Sequence, residues 1–313
     1  MTNSRQFLLA ALLALPLVLY ARDDDPDIRH FESLIETGQY SQAAQELIPY
    51  TADHPESWQA LYQLGFVDFR LHHIQDSLTV LCKSIVLNKN MAESHKILAF
   101  DLNILGRQDL AIHELNESIR CDPANAEAHY ELGRISYEQG QYQTSASELE
   151  KAKALAPDSV RNYHNLGLAY SALGETQKAV ENFEQGLKLN AAHTPPSAWP
   201  LIDYATYFNM QGHFSRARDL LLQATRIDSS WDRAYSELSK AYRGLNSLSD
   251  AIAALQKAIA INANNAEYHY VLARLYTQTN HSQEAKLELA AYERFKTPLT
   301  PQNPHQPVEH LIP

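Results

Sequence analysis

Histidine is the residue type in this chain that could most readily do chemistry, because imidazole binds metal ions and transfers protons near neutral pH. The sequence has fourteen histidines, among them the adjacent His72 and His73 and the more widely spaced His95, His129 and His269. Adjacent side chains do not share a helix face, and no cysteine or carboxylate completes a metal-ligand set at a suitable spacing. We therefore interpret the histidines as packing residues and predict no metal site.

Enzyme motifs are also missing from the sequence. It contains no HExxH, no Gly-x-Ser-x-Gly and no glycine-rich phosphate loop. The sequence thus predicts no catalytic residue and no cofactor. A formal net charge of −11 argues against a general affinity for nucleic acid, which requires a basic surface.

The elements that would position functional residues repeat along the chain. A small residue is followed four positions later by a large apolar residue, and this pair recurs every 34 residues, with one longer step of 38. The small residues are Ala43, Ser77, Ala111, Ser145, Ala179, Ala217, Ala251 and Ala285. A fixed period of 34 is typical of a helix–turn–helix unit that stacks into a solenoid.

Each unit can be numbered by placing Ala43 at position 20. Units then begin at Asp24, Trp58, Ala92, Ala126, Val160, Ala198, Asp232 and Ala266. Position 8 in the first predicted helix is small in seven of the eight units, which predicts a close approach to the second helix. Position 15 is glycine in five units, which predicts a left-handed residue ending the first helix: Gly38, Gly106, Gly140, Gly174 and Gly212.

This pattern resembles the tetratricopeptide repeat family over about residues 24–296. The unit starting at Val160 carries it best, with Tyr163, Leu166, Gly167, Tyr170, Gly174, Ala179, Phe183 and Leu189. The resemblance implies an all-α, right-handed superhelical solenoid of about eight repeats. Residues 22–57, with His30 and Phe31 where Leu and Gly are expected, are predicted to be a degenerate N-terminal repeat, and residues 58–296 the solenoid. Tyr50 and Tyr292, at a normally small position, mark the two terminal units.

In this family, positions 2, 5, 9 and 12 of each first helix face a concave groove. The resemblance therefore implies a groove with an aromatic N-terminal half and a basic C-terminal half. An exposed aromatic strip suits a bound helix or extended peptide, and a basic strip suits carboxylates or phosphates. The alternative is that the aromatics pack between repeats and the charges solubilise the groove. The candidate partner-binding residues are Tyr62, Phe66, Phe100, Tyr130, Arg134, Tyr137, Arg233, Lys240, Arg243 and Arg274. We expect a non-enzymatic scaffold that binds a protein or peptide partner.

The two ends of the sequence differ from the repeats. Residues 7–21 form an uncharged apolar run of 15 residues, shorter than the roughly 20 that span a bilayer. This predicts a signal peptide over residues 1–21 and export to a periplasm or outside the cell. The alternative is an uncleaved anchor, which would make the protein a membrane-tethered assembly factor for cell-envelope complexes. Residues 297–313 hold five prolines and are predicted to be a disordered tail.

Overall fold

A computed structural model describes residues 26–296, which contain sixteen helices and no strand, so the all-α prediction is confirmed for this range. The predicted signal peptide and the proline-rich tail lie outside the described residues. The helices are α1 (Pro26–Glu36), α2 (Tyr40–Asp53), α3 (Trp58–Arg70), α4 (Ile74–Leu87), α5 (Ala92–Ile104), α6 (Gln108–Cys121), α7 (Ala126–Glu138), α8 (Tyr142–Leu155), α9 (Val160–Ala172), α10 (Thr176–Ala192), α11 (Trp199–Met210), α12 (Phe214–Ile227), α13 (Asp232–Gly244), α14 (Leu248–Ile261), α15 (Ala266–Gln278) and α16 (Ser282–Phe295).

The helices fall into two compact units, one ending at Lys89 and one beginning at Asn90. The N-terminal unit holds α1–α4, around a core that includes Phe31, Leu47 and Val67. The C-terminal unit holds α5–α16, and its largest apolar cluster runs from Tyr130 to Leu275. Among the described residues, no helix combines the length and the apolar composition that crossing a membrane requires.

From the second repeat onward, the first helices begin where the 34-residue phase places the unit starts, with one exception. After the four-residue insertion, α11 begins at Trp199, one residue beyond Ala198. The insertion is accommodated by a longer α10, which has 17 residues where α8 and α12 have 14. The Asn190 side-chain amide makes two hydrogen bonds to the loop that follows α10. Its Nδ2 donates to the Ser197 carbonyl at 2.8 Å, and its Oδ1 accepts from the Ser197 N–H at 3.0 Å.

Small residues at position 8 bring the two helices of a repeat into close contact, as predicted. A Cβ atom built on Gly65 would lie 2.6 Å from Leu81 Cγ, and one built on Gly133 would lie 2.7 Å from Leu149 Cγ. With the leucine side chains where they lie, there is no room for a Cβ atom at these two positions. The glycines therefore allow the large residue at position 24 to lie directly against the first-helix backbone.

Position 15 has a left-handed backbone in all eight repeats. The five predicted glycines have φ angles between 74° and 77°. The remaining three repeats place His72, Asn246 and Asn280 there, with φ angles of 64°, 58° and 62°. Histidine and asparagine are among the residues that enter this region more readily than others. The turn geometry is therefore uniform even where the glycine is missing.

The two terminal repeats differ from the interior ones. In the N-terminal unit, the Tyr50 ring stacks on His54 at 4.2 Å and meets Phe31 edge-on at 5.1 Å. In α16, Leu289 is 42% exposed, whereas the residues at the same position in the other seven repeats are at most 2% exposed. The Tyr292 ring lies 5.2 Å from Tyr270 on this end. Terminal repeats lack a neighbour on one side, and this accounts for the exposure.

Candidate binding surface

The candidate surface of the C-terminal unit is built by the first helices of its repeats, α5, α7, α9, α11, α13 and α15. Here, the first-helix surface means the residues at positions 2, 5, 6, 9 and 12 of these helices. Side chains at these positions contact one another across successive repeats. The Asn165 amide donates to the Tyr130 hydroxyl at 3.1 Å, and the Asn209 amide donates to Glu237 Oε2 at 2.8 Å. Groove-facing positions of the resemblance, such as those of Tyr130 and Asn209, therefore contact position 6 of the next repeat within this unit.

Ion pairs neutralise the charges on α7 and α9. Arg161 pairs with Glu127 of the preceding repeat, and its guanidinium lies 4.3 Å over the Tyr130 ring. Burial disfavours the charged guanidinium, but the Glu127 carboxylate holds the pKa of Arg161 above its ordinary value. Burial also raises the pKa of Tyr130. These groups satisfy one another and leave little free charge on this part of the surface.

Arg134 is likewise bound within its own helix. Its Nε donates to Glu131 at 2.8 Å, and its Nη1 donates to Glu138 at 2.6 Å. Only 18% of the Arg134 side chain and 6% of the Glu131 side chain are exposed. A guanidinium that holds two carboxylates and is mostly buried contributes to the stability of α7 rather than to an open binding site.

The expectation that the aromatic candidates are exposed is wrong for three of them. Phe66, Phe100 and Tyr130 are only 2%, 5% and 8% exposed, while Tyr62 and Tyr137 are half-buried. Two side chains explain part of this burial. In the N-terminal unit, the Phe66 ring meets Tyr40 of α2 edge-on at 6.3 Å, and in the C-terminal unit Arg161 covers Tyr130. These aromatic residues contribute to packing between neighbouring helices, which was the alternative interpretation.

An acidic residue that the sequence did not single out connects three repeats. Asp203 of α11 accepts from His164 Nε2 of α9 at 3.1 Å and from Arg233 of α13 at 2.5 Å. Burial alone would raise the pKa of the Asp203 carboxyl, but His164 and Arg233 together hold it below its ordinary value. Trp199 meets the His164 ring edge-on at 4.8 Å. Asp203 stands at position 6, outside the set of positions that the resemblance marks as groove-facing.

The basic candidates in the last two repeats are exposed. Arg233, Lys240, Arg243 and Arg274 all lie at the surface. Lys240 is 3.8 Å from Glu237, and within residues 26–296 neither Arg243 nor Arg274 forms an ion pair. Next to them, Tyr270 is 42% exposed. The structure therefore separates the basic candidates into Arg134 and Arg233, which pair with carboxylates of the chain, and Lys240, Arg243 and Arg274, which remain accessible.

The regularly spaced histidines make contacts inside their repeats. His95, His129 and His269 each place Nδ1 between 2.6 and 2.7 Å from a glutamate of the second helix, 19 residues later. The His129 and His269 rings also place Nε2 near a backbone carbonyl, at 3.2 and 2.9 Å. Within the described range, histidine, cysteine and carboxylate side chains form no cluster of three that could hold a metal ion.

Comparisons with known proteins agree with the repeat architecture. Sequence profiles described as "Tetratricopeptide repeat" match residues 125–192 and 243–296. The type IV pilus assembly protein PilF of Pseudomonas aeruginosa is 26% identical over 208 residues, which cover 60% of this chain and 82% of PilF.

Two solved structures share the fold. A tetratricopeptide repeat protein from Parabacteroides merdae matches with a TM-score of 0.61 and 17% identity, covering 80% of this chain and 97% of that one. The structure of Pseudomonas aeruginosa PilF matches with a TM-score of 0.58 and 21% identity, covering 70% of this chain and 98% of that one. At these identities the likeness concerns the fold alone.

Proposed function

Because this chain belongs to the tetratricopeptide repeat family, we propose that it is a non-catalytic scaffold that binds a segment of a partner protein. Proteins built from such repeats typically mediate protein–protein interactions. The proposed site is the first-helix surface of α13 and α15, and the proposed partner segment carries carboxylates or other acidic groups. The export predicted from residues 7–21 is part of the proposal and places the partner outside the cytoplasm.

The observation that carries this proposal is the accessible charge of Arg243 and Arg274. Elsewhere on the first-helix surface, guanidinium groups are held by carboxylates of the chain itself, as in Arg134 and Arg161. Arg243 and Arg274 are exposed and have no such carboxylate among residues 26–296. On a protein with a net charge of −11, such groups favour an acidic ligand, since guanidinium binds carboxylates in bidentate geometry.

A direct titration tests this function. The probe is a synthetic 12-residue glutamate-rich peptide with a fluorescent label, titrated into the full chain by fluorescence anisotropy. Replacing both Arg243 and Arg274 by glutamate should weaken binding by about tenfold or more, because two attractions become repulsions. The matched control replaces Lys188 and Arg226, which are exposed on second helices, by glutamate. This control has the same net charge and should bind within about twofold of the wild type.

Two further results decide whether the site is correctly placed. Binding should weaken as salt is raised from low to high ionic strength, because exposed charges are screened. Equal losses in the two double variants would show that only the overall charge matters, and this would overturn the proposed site. Affinity capture from the organism of origin with the same variants would then identify the natural partner.

A second candidate function is a membrane-tethered assembly factor for cell-envelope complexes. The likeness to PilF, whose name describes a type IV pilus assembly protein, favours it. The two candidates differ in whether the apolar segment at residues 7–21 remains attached. Mass spectrometry of the mature N-terminus distinguishes them: a chain that begins at Arg22 supports the free scaffold, and an intact N-terminus supports the tethered factor.

A further inference from the structure

A cavity of about 500 Å³ lies within the C-terminal unit, at the side where the two helices of each repeat are joined. It is formed by the beginning of α10, the end of α11, the α11–α12 turn, the beginning of α12 and Leu245 after α13. None of its lining residues occupies a position of the first-helix surface. Its volume falls within the range of about 300–1,000 Å³ that is typical of small-molecule sites.

One wall of the cavity is apolar. Val180, Phe208, Phe214 and Leu245 contribute side chains from four different segments. Val180 also packs against the apolar cluster of the C-terminal unit, so this wall is anchored in the core. An apolar wall of this kind gains free energy when an apolar group replaces water against it.

The buried part of the lining includes a polar group without a partner. Tyr207 lines the cavity and is only 3% exposed, and its hydroxyl has no hydrogen-bond partner in the structure. Buried hydroxyl groups in folded proteins are nearly always hydrogen-bonded, because an unpaired one is costly. The hydroxyl itself has less than 1 Å² of accessible surface, so a ligand in the cavity supplies its missing partner only when the Tyr207 side chain turns toward it.

A positively charged side chain, that of Arg216, also lines the cavity. The Arg216 guanidinium lies 4.5 Å over the Phe208 ring, and its Nη2 donates to Glu184 at 2.7 Å. Both members of that ion pair are more than half exposed, so the pair is weak. Arginine has five N–H donors, and a single bond to Glu184 leaves donors for a second acceptor.

We propose that this cavity binds a small amphiphilic anion. The apolar or aromatic body of the ligand lies against Val180, Phe208 and Phe214, and its acidic head binds Arg216 at the rim. The Tyr207 hydroxyl adds a hydrogen bond to a polar atom of the ligand when its side chain turns toward the cavity. This site is separate from the peptide-binding surface proposed above, and either one can fail without the other.

The probe for this site is 8-anilinonaphthalene-1-sulfonate, which joins an aromatic body to an anionic head and becomes fluorescent in apolar surroundings. The full chain should give a saturable enhancement with one class of site. Val180→Phe, which fills the cavity, and Thr176→Trp, which covers it from an exposed position, should each weaken binding by about tenfold. Arg216→Gln should weaken it by roughly fivefold. Arg218→Gln is the matched control, because Arg218 lies on the same helix but does not line the cavity, and it should leave binding unchanged.

Competition separates the possible ligand sources. Decanoate and 2-naphthoate share the proposed chemistry, and displacement by one but not the other assigns an aliphatic or an aromatic body. Decanol has the same chain as decanoate without the charge and should compete more weakly. Circular dichroism of each variant confirms that it is folded. The proposal is overturned if the probe shows no saturable binding, if both Val180→Phe and Thr176→Trp bind as the wild type does, or if decanol competes as well as decanoate.

Discussion

Gly167 of α9 lies directly against the aromatic ring of Phe183 of α10. A Cβ atom built on Gly167 would lie 2.5 Å from Phe183 Cε1, 2.6 Å from Cδ1 and 2.7 Å from Cζ, so three atoms of the ring stand in its way. Phe183 is itself 2% exposed and stacks on Tyr204 of the next repeat at 5.0 Å. The contact between the two helices of this repeat therefore depends on the absence of a side chain at one position.

Gly167→Ala should lower the free energy of unfolding by about 1–3 kcal/mol, because the added methyl group overpacks a core that cannot expand. Chemical denaturation of the full chain followed by circular dichroism measures this loss.

A second substitution serves as the control. Two other repeats combine alanine at position 8 with leucine at position 24, namely Ala99 with Leu115 and Ala205 with Leu221. Gly167→Ala should therefore cost less when Phe183 has been replaced by leucine. An equal cost in both backgrounds would show that the ring is not the obstacle.

His72→Gly should raise stability by up to about 1 kcal/mol. The His72 backbone is left-handed, with φ at 64°, and an L-residue other than glycine pays for that conformation. Glycine relieves this strain, but its greater conformational entropy in the unfolded state offsets part of the gain in stability. Thermal denaturation is the measurement.

The neighbouring His73 is the matched control. Its φ angle is −84°, and its Nδ1 lies 3.3 Å from Asp68. His73→Gly relieves no strain and removes that contact, so it should not stabilise the protein. If both substitutions have the same effect, the left-handed backbone at His72 is not under strain.

Asp203→Asn should destabilise the C-terminal unit at neutral pH, by about 1–3 kcal/mol, because His164 and Arg233 lose their shared carboxylate. The pKa of Asp203 lies below its ordinary value in the folded protein. The stabilisation by the carboxylate is therefore complete above the ordinary value of 3.8 and is lost as the pH falls through the lowered folded pKa. The difference in stability between wild type and variant should shrink in that acidic range.

Urea denaturation at several pH values between neutral and acidic measures this difference. Asp219→Asn is the control, since Asp219 is 58% exposed and pairs with the adjacent Arg218. It should change stability little at any pH. A constant difference between wild type and Asp203→Asn across the acidic range would contradict the assigned role of the carboxylate.

Arg134→Gln should cost about 3 kcal/mol of stability, because it leaves the buried Glu131 carboxylate without its cation. Arg274→Gln should change stability by less than about 0.5 kcal/mol, because that side chain is exposed and unpaired within the described residues. Denaturation of the two variants side by side tests whether the internally paired and accessible arginines differ as described. Equal effects would remove the distinction on which the proposed binding site depends.

Much of the fold follows from local sequence patterns. The small residues at positions 8 and 20 and the large residue at position 24 predict where helices begin and which faces meet, because these contacts form within one repeat. The left-handed turns at His72, Asn246 and Asn280 were not predicted, since only glycine was used as their signal.

The state of the candidate site was harder to predict because it depends on side chains from other helices. Phe66 and Tyr130 occupy positions that the family resemblance makes groove-facing, but Tyr40 packs against one and Arg161 covers the other. Asp203 was missed because its partners come from the repeats before and after it. A search for an acidic residue with a basic residue 39 positions before it and another 30 positions after it could have found it.

The polar contacts between successive first helices also determine which repeats unfold together. In a linear array, the energy shared between neighbouring repeats sets how many of them unfold together. The contacts between Tyr130 and Asn165, between His164, Asp203 and Arg233, and between Asn209 and Glu237 connect the repeats from α7 to α13 in an unbroken series. Amide hydrogens throughout these four repeats should therefore exchange with solvent in one cooperative event, while α16, with Leu289 uncovered, exchanges earlier by local fraying.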